Sequence, residues 1–428
     1  MKKPAEPGTG IRVSKERLLP VAVTGGFMGL GLLAFGVIPI VLWYARDSLA
    51  RGIFVHPAVI LLAHLYALGL GASVAMGAWP QLLVVAFQAE TAAPKKWSLA
   101  SFPLYVAGLV LLAGGMAASA FAVVAAGGGL LLFAIFFNLL AAASVARKVE
   151  RYSVMTAFVA PALVSLFLAA AVGIALATSR VTNWLGPHWL RAIGSHLYLG
   201  PVGWFGLLIP GVSYELAPFF GLTRTGNDPG KGRFHKHVAA LLISGFAGGW
   251  LTALLGRFHP LFFAPLAAGY ILFVFDLRGI YGWRPPERRT PTLAGVRAAH
   301  AYLGGLALWL FGIGFAGGAT LRAWSLFGWF AAAGWLANSV MAYLHRILPF
   351  LLWHHRYWGK PKEEVRTSFP RMVDKDRARL GLWIYNAGVL GVGGGLLLHS
   401  GALLLPATLL FAAGSWLLVA NLAPAYFR

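Results

Sequence analysis

The chain contains no cysteine, which excludes disulfides, thiolate metal sites, iron–sulfur clusters and haem attached covalently through a CxxCH pair. It is nearly as poor in acid: 13 Asp and Glu stand against 35 Lys and Arg, for a formal charge of +22. In a soluble protein that balance points to nucleic acid. Here only 11% of residues are charged, 59% are hydrophobic and mean hydropathy is +0.73, which no ordinary soluble domain approaches. The cations therefore read as a topology signal and as contacts to anionic lipid, and nucleic acid is not an expected partner. Large polar loops are missing too. One all-α membrane domain is expected over residues 19–428, after a disordered polar tail at 1–18.

What is present is a series of apolar stretches, each near the roughly 20 residues that cross a bilayer as a helix. Twelve are predicted: 19–45, 57–80, 99–121, 125–146, 154–178, 196–219, 238–256, 260–277, 298–319, 323–344, 380–400 and 402–422. With the N-terminus placed in the cytoplasm, 29 Lys and Arg fall on the cytoplasmic side. Six fall opposite: Arg46, Arg51, Arg180, Arg191, Arg257 and Arg322. The positive-inside rule then predicts both termini inside, in a prokaryotic inner membrane. The first stretch is too long for a signal-peptide core, so no cleaved leader is expected. The longest loop, 345–379, begins amphipathic and aromatic and is expected to open with an interfacial helix.

The 53 glycines gather in stripes such as Gly69, Gly71 and Gly77, Gly127 to Gly129, and Gly391, Gly394 and Gly395. None sits in the strand–turn–helix setting of a nucleotide loop, so close helix packing is their expected role. A phrase recurs at a period of four spans. His64-Leu65-Tyr66 leads through Gly77 to Gln81-Leu82. His196-Leu197-Tyr198 leads through Gly211 to Glu215-Leu216-Ala217-Pro218. Span 10 ends in Arg346-Ile347-Leu348-Pro349 and lacks the opening histidine. Three related four-helix units around a pseudo-threefold axis are expected.

Twelve spans, threefold relatedness and histidines at the outer ends of spans 2 and 6 together resemble the haem–copper oxidase subunit I superfamily. The phrase from Ile193-Gly194-Ser195-His196 through Gly203-Trp204, Gly211 and Pro218 is similar to a signature of cbb3-type oxidases and nitric oxide reductases, with Tyr198 where that signature has its second histidine. NnrS-like membrane haem proteins of nitric-oxide metabolism are a further similar group. The resemblance implies an oxidase-like fold, a b-type haem, electron transport in a respiratory chain, and a cytochrome or other respiratory subunit as partner. Mapped by span order, His64 takes the low-spin haem role, His196 the span 6 copper role, and His259 stands where the family has two copper ligands. The outer half of span 10 carries Trp324, Trp329 and Trp335 and no histidine. An oxygen-reducing copper–haem pair is therefore not expected. The wording around His196 also resembles the family's span 10 rather than its span 6.

Read residue by residue, His64 and His196 are either neutral imidazole ligands of haem or another metal, or histidines hydrogen-bonded between helices. Tyr66 and Tyr198 either orient those rings or belong to an interfacial belt. Arg191 either holds a haem propionate or snorkels. His56, His188, His259 and His399 share the outer side. Glu215, Gln81 and Arg346 suggest a structural network on the cytoplasmic side. The alternatives to a haem protein are a 12-span transporter of a small solute and a non-catalytic subunit or assembly factor of a respiratory complex. Against transport, the spans show no pair of broken helices typical of an inverted-repeat site.

Overall fold

The computed structural model describes residues 20–86, 95–146, 154–221, 233–256, 260–281, 290–316, 320–357 and 359–427. Among them there is no strand. The long helices in chain order begin with α1 (Val21–Ala50), and α2 is a continuous run of Pro57–His64, Leu65–Ala72 and Ser73–Ala86. Then come α3 (Lys95–Ala117), α4 (Phe121–Ala146) and α5 (Val154–Thr182). Helix α6 runs through Trp189–Leu197, Tyr198–Phe205 and Gly206–Gly221. It is followed by α7 (His235–Leu254), α8 (Phe263–Tyr281) and α9 (Pro291–Ala316). Helix α10 runs through Leu321–Trp329, Phe330–Ala337 and Asn338–Tyr357, and α11 (Lys375–Leu398) and α12 (Gly401–Leu422) end the series. The tail 1–18 and His259 lie outside the described residues.

Eleven of these helices are long and apolar enough to cross a membrane, and the chain is a multi-pass membrane protein. Large apolar side chains left exposed on their outer faces, such as Leu33, Val110, Phe133 and Leu390, suit a lipid surround. The helix that falls short on composition is α10, which carries Asn338, Ser339, His345 and Arg346. Its polarity has a physical reason. It packs against α1, α2, α9 and α11, and Asn338, Ser339 and His345 are buried among other helices rather than presented to lipid.

Helix ends are set by local chemistry. Thr320 Oγ1 accepts from the Ala323 amide at the start of α10, Ser400 Oγ accepts from Leu403 at the start of α12, and Asp374 accepts from Asp376 and Arg377 at the start of α11. His399, left-handed at φ 53°, ends α11 and turns the chain into α12 within two residues. Glycine stripes do pack helices. Gly71 lies against Phe205, Gly127 against Leu112, and Gly388 against the Phe411 backbone, each too close for a Cβ. Gly114 and Gly129 differ, having nothing within 4 Å of the position a Cβ would take.

The expected interfacial helix at the start of 345–379 needs correction. Residues 345–357 continue α10 without a break, because their apolar side chains still find partners inside the bundle; Leu348 and Leu352 are buried. The chain then folds back on that end: Trp353 Nε1 donates to Thr367 O at 2.8 Å, and the Arg346 guanidinium lies 4.5 Å over the Phe369 ring.

Three π-helical turns interrupt the series: Leu65–Ala72 in α2, Tyr198–Phe205 in α6 and Phe330–Ala337 in α10, their first residues 133 and 132 positions apart. A π turn inserts an extra residue and re-aims the side chains around it, and such turns recur at functional sites. In α6 the cause is visible in Pro201, whose nitrogen has no hydrogen to donate to the helix ladder. The turn of α2 touches those of both α6 and α10. Tyr343 of α10 donates to Ser213 of α6 at 2.7 Å and closes the third side.

Candidate functional site: a histidine pair between α2 and α6

His64 is the last residue before the π turn of α2, and His196 stands two residues before that of α6. Each lies seven residues past the first residue of its helix, about 10 Å along the axis at the helical rise. The end they share is opposite to the one at which the basic loop segments emerge. Helices α2 to α6 touch in succession, and α6 returns to α2, so the two histidines occupy the pair of helices that closes a five-helix ring.

The rings are near-parallel, with centroids 5.9 Å apart and planes inclined by 22°. His64 Nδ1 is 2.8 Å from Ile60 O in its own helix, and His196 Nδ1 is 2.9 Å from Ala169 O in α5. A carbonyl oxygen only accepts, so in both bonds Nδ1 is the donor. In the neutral imidazole the lone pair is then on Nε2 of each ring, the arrangement found in histidines that bind metals, whose orientation is fixed by the other nitrogen.

Helix α5 builds the wall behind His196. Ala169 supplies the acceptor, and Gly173, one turn further, leaves room for the ring: a Cβ there would stand 3.1 Å from His196 Cε1. The neighbouring Ser195 accepts from Trp250 Nε1 of α7 at 2.7 Å, which anchors this turn of α6 from the other side. Both histidines are half-buried rather than sealed. Gly200, one turn past His196, has nothing within 4 Å of the position a Cβ would take.

The other predicted residues do not converge on the pair. Tyr198 stacks on Phe246 of α7 and donates to Gly245 O at 3.4 Å; Tyr66 is buried beside Tyr385 of α11. Both phenols therefore serve helix packing, not ring orientation. Arg191 packs its guanidinium against Gly256 at the end of α7. His56 caps α2 through Nδ1, His188 is exposed in a short 3-10 turn, and His399 contacts Arg322 at 3.4 Å. Among the described residues no group of three or more His, Cys, Asp or Glu could hold a metal ion. The site is a pair.

Sequence reasoning missed several buried polar groups. Asp276 of α8 accepts from Tyr214 of α6 at 2.9 Å and from the Phe234 amide at 3.0 Å, capping α7 and tying three helices together. An acid in an apolar helix was the available signal, and its partner across 62 positions was not. His300 and His345 are buried in α9 and α10; His345 Nδ1 bonds Met341 O at 2.7 Å. Asn338 and Asn386 exchange hydrogen bonds of 3.0 Å between α10 and α11.

Further along the axis, toward the basic end, α2, α6 and α10 enclose a cavity of about 80 Å³ lined by Gly71, Val74, Trp204, Phe205, Ser339 and Tyr343 among others. That volume holds two or three waters and no macrocycle. No family model matches this sequence, and no curated protein matches it.

Proposed function

We propose that this chain is an integral membrane haem protein in which His64 and His196 supply the two axial ligands of a b-type haem. The observation that carries the reading is the pair itself: two near-parallel imidazoles, 5.9 Å between centroids, each with Nδ1 committed to a carbonyl. Two near-parallel imidazoles at that separation, each with Nε2 uncommitted, would be able to hold one metal atom between them.

Bound there, haem supplies a one-electron carrier. His64 and His196 would both hold the iron with their own imidazoles, an arrangement that would favour electron transfer over catalysis. His64 is oriented within its own helix and His196 by α5, so the pair depends on α2, α5 and α6 staying in contact. The partner class that follows is a cytochrome or another respiratory or nitric-oxide-linked redox subunit.

The fold belongs to the same proposal: 12 spans in three related units, with α10 the twelfth and both termini on the basic, cytoplasmic side of a prokaryotic inner membrane. The three π turns at near-equal spacing, with that of α2 touching those of α6 and α10, support the threefold reading. The contact of His64 with His196 supports reading the His196 phrase as the oxidase-like span 10 phrase carried on the sixth helix. Haem titration of the purified protein tests the proposal. One equivalent per chain should bind and develop a Soret band, and a chain that binds no haem would overturn it.

A further inference from the structure

We propose a binding site for an anionic phospholipid, distinct from the histidine pair, where α11 begins and α12 ends. A cleft of about 550 Å³ opens there, lined by Arg371, Lys375, Arg377, Asp374, Asn421 and Pro424 among others. Its cationic side chains outnumber its one carboxylate by three to one. That carboxylate is already engaged: Asp374 Oδ1 accepts from the amides of Asp376 and Arg377 at 2.9 and 3.0 Å. With three cations against one carboxylate, the cleft lining carries a net positive charge.

The floor is held in place. Asn421 is buried; its Nδ2 donates to Asp374 O at 3.1 Å, and its Oδ1 accepts from Asp374 N at 3.2 Å, so the end of α12 clasps the start of α11 like a strand partner. Arg371, Lys375 and Arg377 line the cleft and are exposed at the helix mouth; beyond its lining, Leu380 and Trp383 stand exposed one and two turns further along α11. Trp383 is 77% exposed, the largest apolar side chain α11 presents outward.

A cationic head region that runs onto an apolar stripe at the mouth of a membrane helix matches one ligand chemistry, a phosphodiester headgroup with acyl chains. Basic pockets between transmembrane helices take such headgroups. A free phosphate would use the cations and leave Trp383 and Leu380 without a role, so the occupant is the lipid. This inference does not depend on haem being bound at His64 and His196.

The test is lipid retention by the full chain purified from detergent containing equal phosphatidylglycerol and phosphatidylcholine, counted by native mass spectrometry. The native protein should retain phosphatidylglycerol preferentially. The triple variant R371Q/K375Q/R377Q should lose that preference, by about fivefold per charge removed and on the order of a hundredfold for all three. W383A should weaken retention while the cations remain. The control K236Q/R297Q, exposed cations at the same end of the molecule outside the cleft, should retain lipid as the native chain does. Equal loss in the control would overturn the proposal, as would displacement of the lipid by millimolar inorganic phosphate, which would make the site one for a free anion.

Discussion

The starts of the three π turns carry different side chains, and the difference lies in which of their polar atoms are already spent. In α2 and α6 an imidazole stands there, bonded through Nδ1 and left with a second nitrogen to use. In α10 the residue before the turn is Trp329, whose single polar atom is spent on Val389 O of α11 at 2.9 Å while its ring packs on Phe411. Gly328, which precedes it, has nothing within 4 Å of its Cβ position. An indole donates once and ligates nothing; an imidazole held by one nitrogen still presents the other. The same backbone device thus anchors a helix at α10 and leaves two imidazole nitrogens unspent between α2 and α6.

Breaking the ligand side should have the largest effect. H196A should abolish haem binding, and millimolar imidazole should restore the Soret band, because Gly173 and Ala169 leave the emptied space walled but unfilled. Unchanged haem binding in H196A would place the ligand elsewhere. G173L should come next. Its side chain would have to occupy the position of the His196 ring, and haem affinity measured by titration should fall at least tenfold with the helical content of the protein unchanged.

The structural side should respond in stability alone. D276N weakens a charged acceptor shared by Tyr214 and the α7 amide and should cost about 2 kcal/mol, read as a lower melting temperature in detergent. W329F removes one buried neutral hydrogen bond and should cost about 1 kcal/mol, with haem affinity unaltered. An effect of W329F on haem binding as large as that of G173L would erase the distinction between the turns.

Much of the architecture was legible because bilayer thickness imposes one strong length rule on an apolar chain. The repeated His-Leu-Tyr phrase pointed to the two residues that meet, although they are 132 positions apart. It misled on its third member. Tyr66 and Tyr198 share the spacing of the histidines but fall within the π turns, where the helix has rotated them toward α11 and α7. No periodicity announces a π turn, so this rotation could not be read from the sequence. Asn338 and Asn386, and Asp276 with Tyr214, were hidden for a related reason: each is an ordinary polar residue until the partner from a distant helix is known. Of the suggested network of Gln81, Glu215 and Arg346, the Gln81 side chain lies outside the described residues, and the Arg346 guanidinium lies over the Phe369 ring.

The most direct measurement is electron paramagnetic resonance of the oxidised, haem-loaded protein. Two axial imidazoles whose planes lie within 22° of each other should split the iron orbitals strongly and give a rhombic low-spin signal. That signal should vanish in both H64A and H196A. A high-spin signal from the native chain, or a low-spin signal that survives either substitution, would contradict the assignment of His64 and His196 as the ligand pair.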